Sequence, residues 1–203
     1  MAVEEIDLYK LTAEDLMNYL PSGDSTSCGA KNWSEYAQML VDGKVRATDC
    51  KKIDKKMAAA IDAVLAVDIR LPESDPMQQR VPDKLIEFNS PDESSPIILT
   101  GNSIITHQIL KLIFDATKVK AFVIPVDTGG YTMDNSVVAC AFTPMAVMKA
   151  ITESGIAEKN SSRSALISGW ARDLKGNIER ITRWNLEIGP NSGFELPLYL
   201  ISQ

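Results

Sequence analysis

Apolar residues recur at helical spacing in three early stretches. Thr12 stands where it caps a helix over residues 13–20, with Leu16 and Leu20 on one face and Pro21 as its stop. Asn32 caps a second helix to about Val41, carrying Trp33, Tyr36, Ala37 and Leu40, with Glu35 as the reciprocal member of a capping box and Gly43 as the stop. Residues 22–29 read as loop, and residues 53–67 as a third helix with Met57, Ile61, Val64 and Leu65 in register. The first 67 residues thus read as all-helical. The pattern breaks over residues 70–96, where Pro72, Pro76, Pro82, Pro91 and Pro96 stand among Asp, Glu, Ser and Gln, as in a linker or a wrapped loop.

Beyond the prolines, strand and helix patterns alternate. Strands are predicted over 97–100, 121–126, 165–168 and 186–189, and helices over 103–116, 144–154 (stopped by Gly155) and 171–175, with a turn at 178–182 and a final segment over 196–201. Such alternation predicts an α/β fold, a mostly parallel sheet with helices on its faces. The expected domains are a small all-helical one over 1–68, a proline-rich linker over 69–96 and the α/β domain over 97–203.

The stretch Val126 to Thr143 is the centre of this pattern. The buried strand ending at Val126 empties into Asp127-Thr128-Gly129-Gly130, a pair of glycines suited to positive φ, and open α/β sheets bind ligands at such strand ends. Thr143-Pro144 then starts a helix. Asp127 either orients a ligand or caps the turn that follows it.

Composition narrows the function. The chain has 203 residues, 45% apolar, with net charge -6; it can bury a core, and it lacks the concentrated Lys and Arg that phosphate backbones require. A nucleic-acid partner is therefore not expected, and the one basic cluster, Lys51 to Lys56, reads as a solvated helix face. No apolar stretch reaches the length of a membrane span, and the N-terminus is acidic where a signal peptide is basic, so a cytoplasmic location is expected. Three cysteines without framework spacing fit a reducing compartment better than a disulfide scaffold. Glycine-rich phosphate fingerprints and a Gly-x-Ser-x-Gly elbow are missing, and there are too few Cys and His for a zinc site. His107, the single histidine, reads as a helix residue bonded to backbone or water.

Two sets of residues resemble the large (gamma) subunit of the corrinoid/iron-sulfur protein of the acetyl-CoA synthase pathway. In the N-terminal part, Leu20-Pro21 sets the register of that family's iron-sulfur motif. Cys28-Gly29 falls on its second cysteine, Tyr36-Ala37 and Gly43-Lys44 on its helix positions, and Cys50 on its last cysteine. Ser25 and Trp33 stand at the first and third cysteine positions. A cubane cluster is held by four thiolates, so the resemblance implies a degenerate motif without an iron-sulfur cluster. The C-terminal part is similar to the family's corrinoid-binding domain through Thr100, Asn102 and Thr106, Val126-Asp127-Thr128 with Gly130, Thr132 and Phe142-Thr143, and further through Glu153 to Ile156, Gly169, Gly176, Trp184 and Gly189-Pro190. The family's intervening TIM barrel has no counterpart in the chain.

The resemblance implies a Rossmann-like domain holding a corrinoid (cobalamin) at its strand ends, near Thr100, Asn102, Thr106, Asp127, Thr128, Gly129, Gly130, Thr132 and Cys140. Mercury-methylating corrinoid proteins share this domain and carry a cobalt-facing cysteine, which aligns with Val137, three residues before Cys140. Cys140 is thus a candidate cobalt neighbour if the segment is helical, and otherwise a small buried apolar residue. The implied role is a methyl-transfer component of one-carbon metabolism, completed by a protein partner such as a methyltransferase or the small-subunit TIM barrel, or by a second copy of the chain. Two other readings stand beside it: a cofactor-free interaction or regulatory protein that keeps the fold, and a small-molecule enzyme using the same crevice.

Overall fold

A computed structural model describes residues 10–67 and 79–203. In chain order it contains α1 (Ala13–Met17), α2 (Trp33–Val41), α3 (Lys55–Leu65), β1 (Ile86–Phe88), β2 (Ile97–Gly101), α4 (Ile104–Thr117), β3 (Ala121–Val126), α5 (Met133–Val138), α6 (Pro144–Ser154), β4 (Ser164–Ile167), α7 (Lys175–Thr182), β5 (Asn185–Ile188) and α8 (Leu196–Ser202). The chain divides into two units, one of Met1–Val67 with Ser192–Gln203, the other of Asp68–Asn191.

The helical unit begins with a capping box. The Thr12 hydroxyl accepts from Asp15 N at 3.2 Å while Thr12 N donates to the Asp15 carboxylate at 2.8 Å, which satisfies two of the orphan donors of α1. Asn32 accepts from Glu35 N at 2.8 Å to start α2, but the returning Glu35 carboxylate takes Lys31 N at 2.7 Å. The expected reciprocal bond is thus displaced by one residue. Leu16, Trp33, Tyr36, Leu40, Met57, Ile61 and Val64 are buried. α8 packs on α3, so residues 192–203 leave the α/β domain to which the spacing assigned them. They do so because Phe194 and Leu198 are buried in the helical unit's core. Glu195 is buried with them; burial raises its carboxyl above the usual range, and the Tyr19 hydroxyl donates to it at 3.1 Å.

A second difference concerns the cysteines. Cys28 and Cys50 form a disulfide with their Cα atoms 5.0 Å apart, against the expectation of free thiols. Linear spacing did not reveal it because two short 3-10 turns, Thr26–Cys28 and Ala47–Asp49, bring positions 22 apart together.

In the other unit the sheet order is β1-β3-β2-β4-β5, with β3, β2, β4 and β5 parallel and β1 antiparallel on the edge. β1 lies inside the proline-rich stretch read as linker; three residues are too few to show a period. It pairs with Ala121 to Val123, so among the described residues Pro125 has no strand neighbour on that side, a position a strand proline tolerates. The step from β2 to β3 runs opposite to the steps from β3 to β4 and from β4 to β5. Right-handed crossovers therefore put α4 on one face and α6 with α7 on the other. Ile97, Leu99, Phe122, Ile124, Val126, Ala165 and Ile167 form the core with Val147, Ala150 and Ile178. The chain is α/β, as the alternation predicted. No helix among the described residues is long and apolar enough to cross a membrane.

Candidate functional site

Connections leave β2 and β4 in opposite directions, so the switch point of the sheet lies between their carboxyl ends, at Gly101 to Ser103 and Ser168 to Trp170. The loop after β3 closes over the same edge. Asn102 is its anchor. Its Oδ1 accepts from Thr128 N at 3.1 Å and Gly130 N at 3.0 Å, and its Nδ2 donates to Asp127 Oδ1 at 3.1 Å. The Thr128 hydroxyl lies 3.2 Å from Asn102 Oδ1 and 3.0 Å from Tyr131 O, so its one proton serves either acceptor. A single amide thereby replaces the backbone partners that a strand-end loop cannot find.

Two glycines permit this closeness. A Cβ on Gly101 would fall 2.8 Å from Tyr131 O, and one on Gly130, at φ 88°, would fall 2.9 Å from Gln79 O. Residues 79–81 lie along the start of α4: Val81 N donates to Asn102 O, Ile104 N donates to Gln79 O at 3.1 Å, and Arg80 bridges Ser103. The Gln79 carbonyl thus satisfies a helix N-terminal donor that the Ser103 side chain leaves open.

The residues read as cofactor-binding separate into two groups. Thr100, Asn102 and Thr128 are buried, and Asn102 and Thr128 spend their polar atoms on the loop itself. Thr106 sits half-buried in the first turn of α4. Asp127 is exposed and accepts from Gly129 N at 3.2 Å, so it caps its own turn; that bond, with the Asn102 amide and Arg80, holds its carboxyl below the usual range. Thr132 caps α5 by position, its hydroxyl donating to Asp134 at 2.6 Å. Neither reading of Cys140 holds as stated. α5 ends at Val138, so Cys140 is not on the helix, and it is exposed at φ 52°. The chain turns there because Ser136 O accepts from both Ala141 N and Phe142 N, pulling Phe142 into the core.

His107 lies behind this edge. Its Nε2 is 3.0 Å from Gly101 O, the backbone contact expected of it. A carbonyl only accepts, so Nε2 carries the proton and Nδ1 is left as a buried acceptor without a partner among the described residues. Burial pushes its pKa down to about 4, against smaller upward pulls from Gly101 O and Asp83.

Exposed apolar side chains also stand on the elements of this edge, beside the exposed Asp127 and Arg80. α5 packs on the end of β2 and on the turn Gly169–Leu174, and Val138 is 84% exposed, Tyr131 51% and Trp170 49%. Met145, in the first turn of α6, is exposed as well. Sequence reasoning missed Tyr131, Val138 and Trp170 because exposure of an apolar residue leaves no trace in a linear pattern. The other half of the resemblance offers no cluster site: Ser25 is buried and donates to Ala30 O at 3.0 Å, Trp33 is buried, and Cys28 is bonded to Cys50. That donor set does not fit a four-thiolate cluster.

The family profile described as "CO dehydrogenase/acetyl-CoA synthase delta subunit" matches residues 43–200. Ser25, Cys28 and Trp33 precede the match, and Cys50 and the whole strand-end edge fall within it. Among curated proteins, the acetyl-CoA decarbonylase/synthase complex subunit gamma of Methanopyrus kandleri is 34% identical over 128 residues, covering 63% of the chain and 28% of the relative. That of Methanothermobacter thermautotrophicus is 33% identical over 122 residues, covering 60% and 27%. The corrinoid/iron-sulfur protein large subunit of Moorella thermoacetica is 26% identical over 111 residues, covering 55% and 25%. The profile carries a delta-subunit description while these relatives are gamma or large subunits. The matches span about a quarter of each relative's length.

Proposed function

The chain belongs to the CO dehydrogenase/acetyl-CoA synthase delta-subunit family, and from that premise we propose that its α/β unit seats a corrinoid on the strand-end edge as a methyl-transfer component. The observation that carries this is the exposure of three apolar side chains, Tyr131, Val138 and Trp170, on elements at the switch point of a parallel sheet. A corrin macrocycle is broad and largely apolar, and covering three half-exposed or exposed apolar side chains is favourable at about 25 cal/mol per Å². Such a surface suits a ring laid across it better than a small polar substrate sunk into a pocket.

When bound, the corrinoid supplies the chemistry by carrying a methyl group on its cobalt. The chain's own residues supply the seat. Tyr131, Val138 and Trp170 are the contact surface, with Cys140 and Gly129 at its margin. Asn102 and Thr128 are positioning residues in this reading: their side chains fix the 127–131 loop. Thr100 and Thr106 support the same strand and helix ends. One small unit covers one face of so large a ligand, so a protein partner, a methyltransferase or a TIM-barrel subunit, completes the other.

A second reading, a cofactor-free interaction protein of the same fold, is favoured by one feature. The polar groups at the strand ends are already satisfied internally, and Gln79 O takes the α4 N-terminal donor that a ligand's amide or phosphate oxygen would use. The two readings separate in one experiment, in which anaerobic protein is mixed with cobinamide and with cobalamin, desalted, and its visible spectrum recorded. Retention near one corrinoid per chain, base-off for cobalamin, is expected. Loss of all colour on desalting, alone and with a corrinoid methyltransferase present, would favour the cofactor-free reading.

A further inference from the structure

We propose that Cys28 and Cys50 are a reversible dithiol–disulfide couple, in which Cys28 is the sulfur that exchanges with low-molecular-weight disulfides. The pair is bonded, with a Cα separation of 5.0 Å, inside the range that disulfides adopt without backbone movement. Exposure differs sharply between the two. Cys50 is 3% exposed, whereas Cys28 is only half-buried, with the exposed Thr26, Ser27 and Gly29 around it. An external disulfide therefore reaches Cys28 first.

The two turns are held by contacts other than the S–S bond, so reduction need not separate the thiols. The Cys28 turn is closed by Cys28 N donating to Ser25 O at 2.8 Å and by the buried Ser25 hydroxyl donating to Ala30 O. The Cys50 turn is fixed to α3 by Asp62, which accepts from Ala47 N at 2.6 Å and from the Thr48 hydroxyl at 2.7 Å. Lys52, two residues past Cys50, joins the turns: its ammonium donates to Asp24 O at 2.5 Å and pairs with the Asp24 carboxylate at 3.3 Å. With the bond reduced, these contacts keep both thiols in place, so the second thiol reacts at high effective concentration.

The exchange balances as follows. The Cys28 thiolate attacks one sulfur of an external disulfide RSSR, forming Cys28–S–S–R and releasing RS⁻. The Cys50 thiolate then attacks the Cys28 sulfur, forming the Cys28–Cys50 bond and releasing the second RS⁻. The two protons leaving the protein thiols go to the two released thiolates, and two electrons pass from the protein to RSSR.

The test counts thiols on the full chain. Protein is equilibrated anaerobically in graded mixtures of reduced and oxidised glutathione, quenched in acid, alkylated in denaturant and weighed. The reduced limit carries three modifiable thiols and the oxidised limit one, Cys140, with a single two-electron transition between them. Three thiols at every ratio would overturn the proposal. In the Cys140→Ser background, Cys50→Ser is expected to trap one glutathione on Cys28, while Cys28→Ser leaves Cys50 unmodified; the reverse pattern would overturn the assignment of Cys28. The wild-type count depends on neither variant, so a variant that fails to fold leaves the main result standing.

Discussion

Asn102→Ala is expected to destabilise the α/β unit by about 3 kcal/mol, the largest effect of any single polar substitution at the strand-end edge. The side chain accepts from two backbone N–H groups and donates to Asp127, and Thr128, one of the residues it serves, is 2% exposed. Alanine leaves the buried Thr128 N–H without a partner and without water, so the full desolvation penalty appears rather than the small net worth of a hydrogen bond. Asn102→Asp separates the two contributions. It keeps an acceptor for Thr128 N and Gly130 N, removes the donor to Asp127 and sets two carboxylates together, so its loss is expected to be smaller at pH 4 than at pH 7. Denaturant midpoints of the three proteins check this, and a loss below about 1 kcal/mol for Asn102→Ala would show that the loop holds itself without the amide.

His107 should make the unit acid-sensitive. Its pKa is pushed from an ordinary 6.5 to about 4 by burial, so the folded chain keeps the ring neutral where the unfolded chain protonates it. A depressed pKa contributes stability that is present above the unfolded value and lost as pH falls through the folded one. The window therefore runs from pH 6.5 down to about 4, and the loss across it is about 3 kcal/mol. Carboxylates titrate in the same range, so the difference between wild type and His107→Phe is the quantity to measure. Phe removes the bond to Gly101 O at every pH, a constant offset, and also removes the unpartnered Nδ1. The stability difference should narrow or reverse on acidification; a difference that stays constant from pH 7 to pH 4 would mean that water or local opening solvates the ring.

Much of this edge could be read in the chain, for identifiable reasons. Thr143-Pro144 and Asn32 are start signals that act locally, and β3 is a run of apolar residues buried at every position. Asp127 and Gly129-Gly130 fixed the place of the loop, because positive φ at Gly129 and Gly130 is a backbone demand that the residue type itself announces. What could not be read depended on contacts distant in sequence. Asn102 and Thr128 carry polar groups that serve a ligand or a loop equally well, and only their 3.1 Å contact decides. Cys28 and Cys50 read as two remnant cluster positions, and their pairing shows only once the turns that carry them meet. The last twelve residues continue an alternating pattern, yet the burial of Phe194 and Leu198 draws them to the helices.

The reading of Tyr131, Val138 and Trp170 as a corrinoid seat makes the strand-end edge the one place where ligand should slow backbone exchange. Hydrogen–deuterium exchange of the full chain, anaerobic, with and without saturating cobinamide, tests this directly. Protection over residues 127–141 and 168–171, with residues 10–67 unchanged, is the predicted result; no protection at that edge, or protection confined to the helical unit, would contradict it.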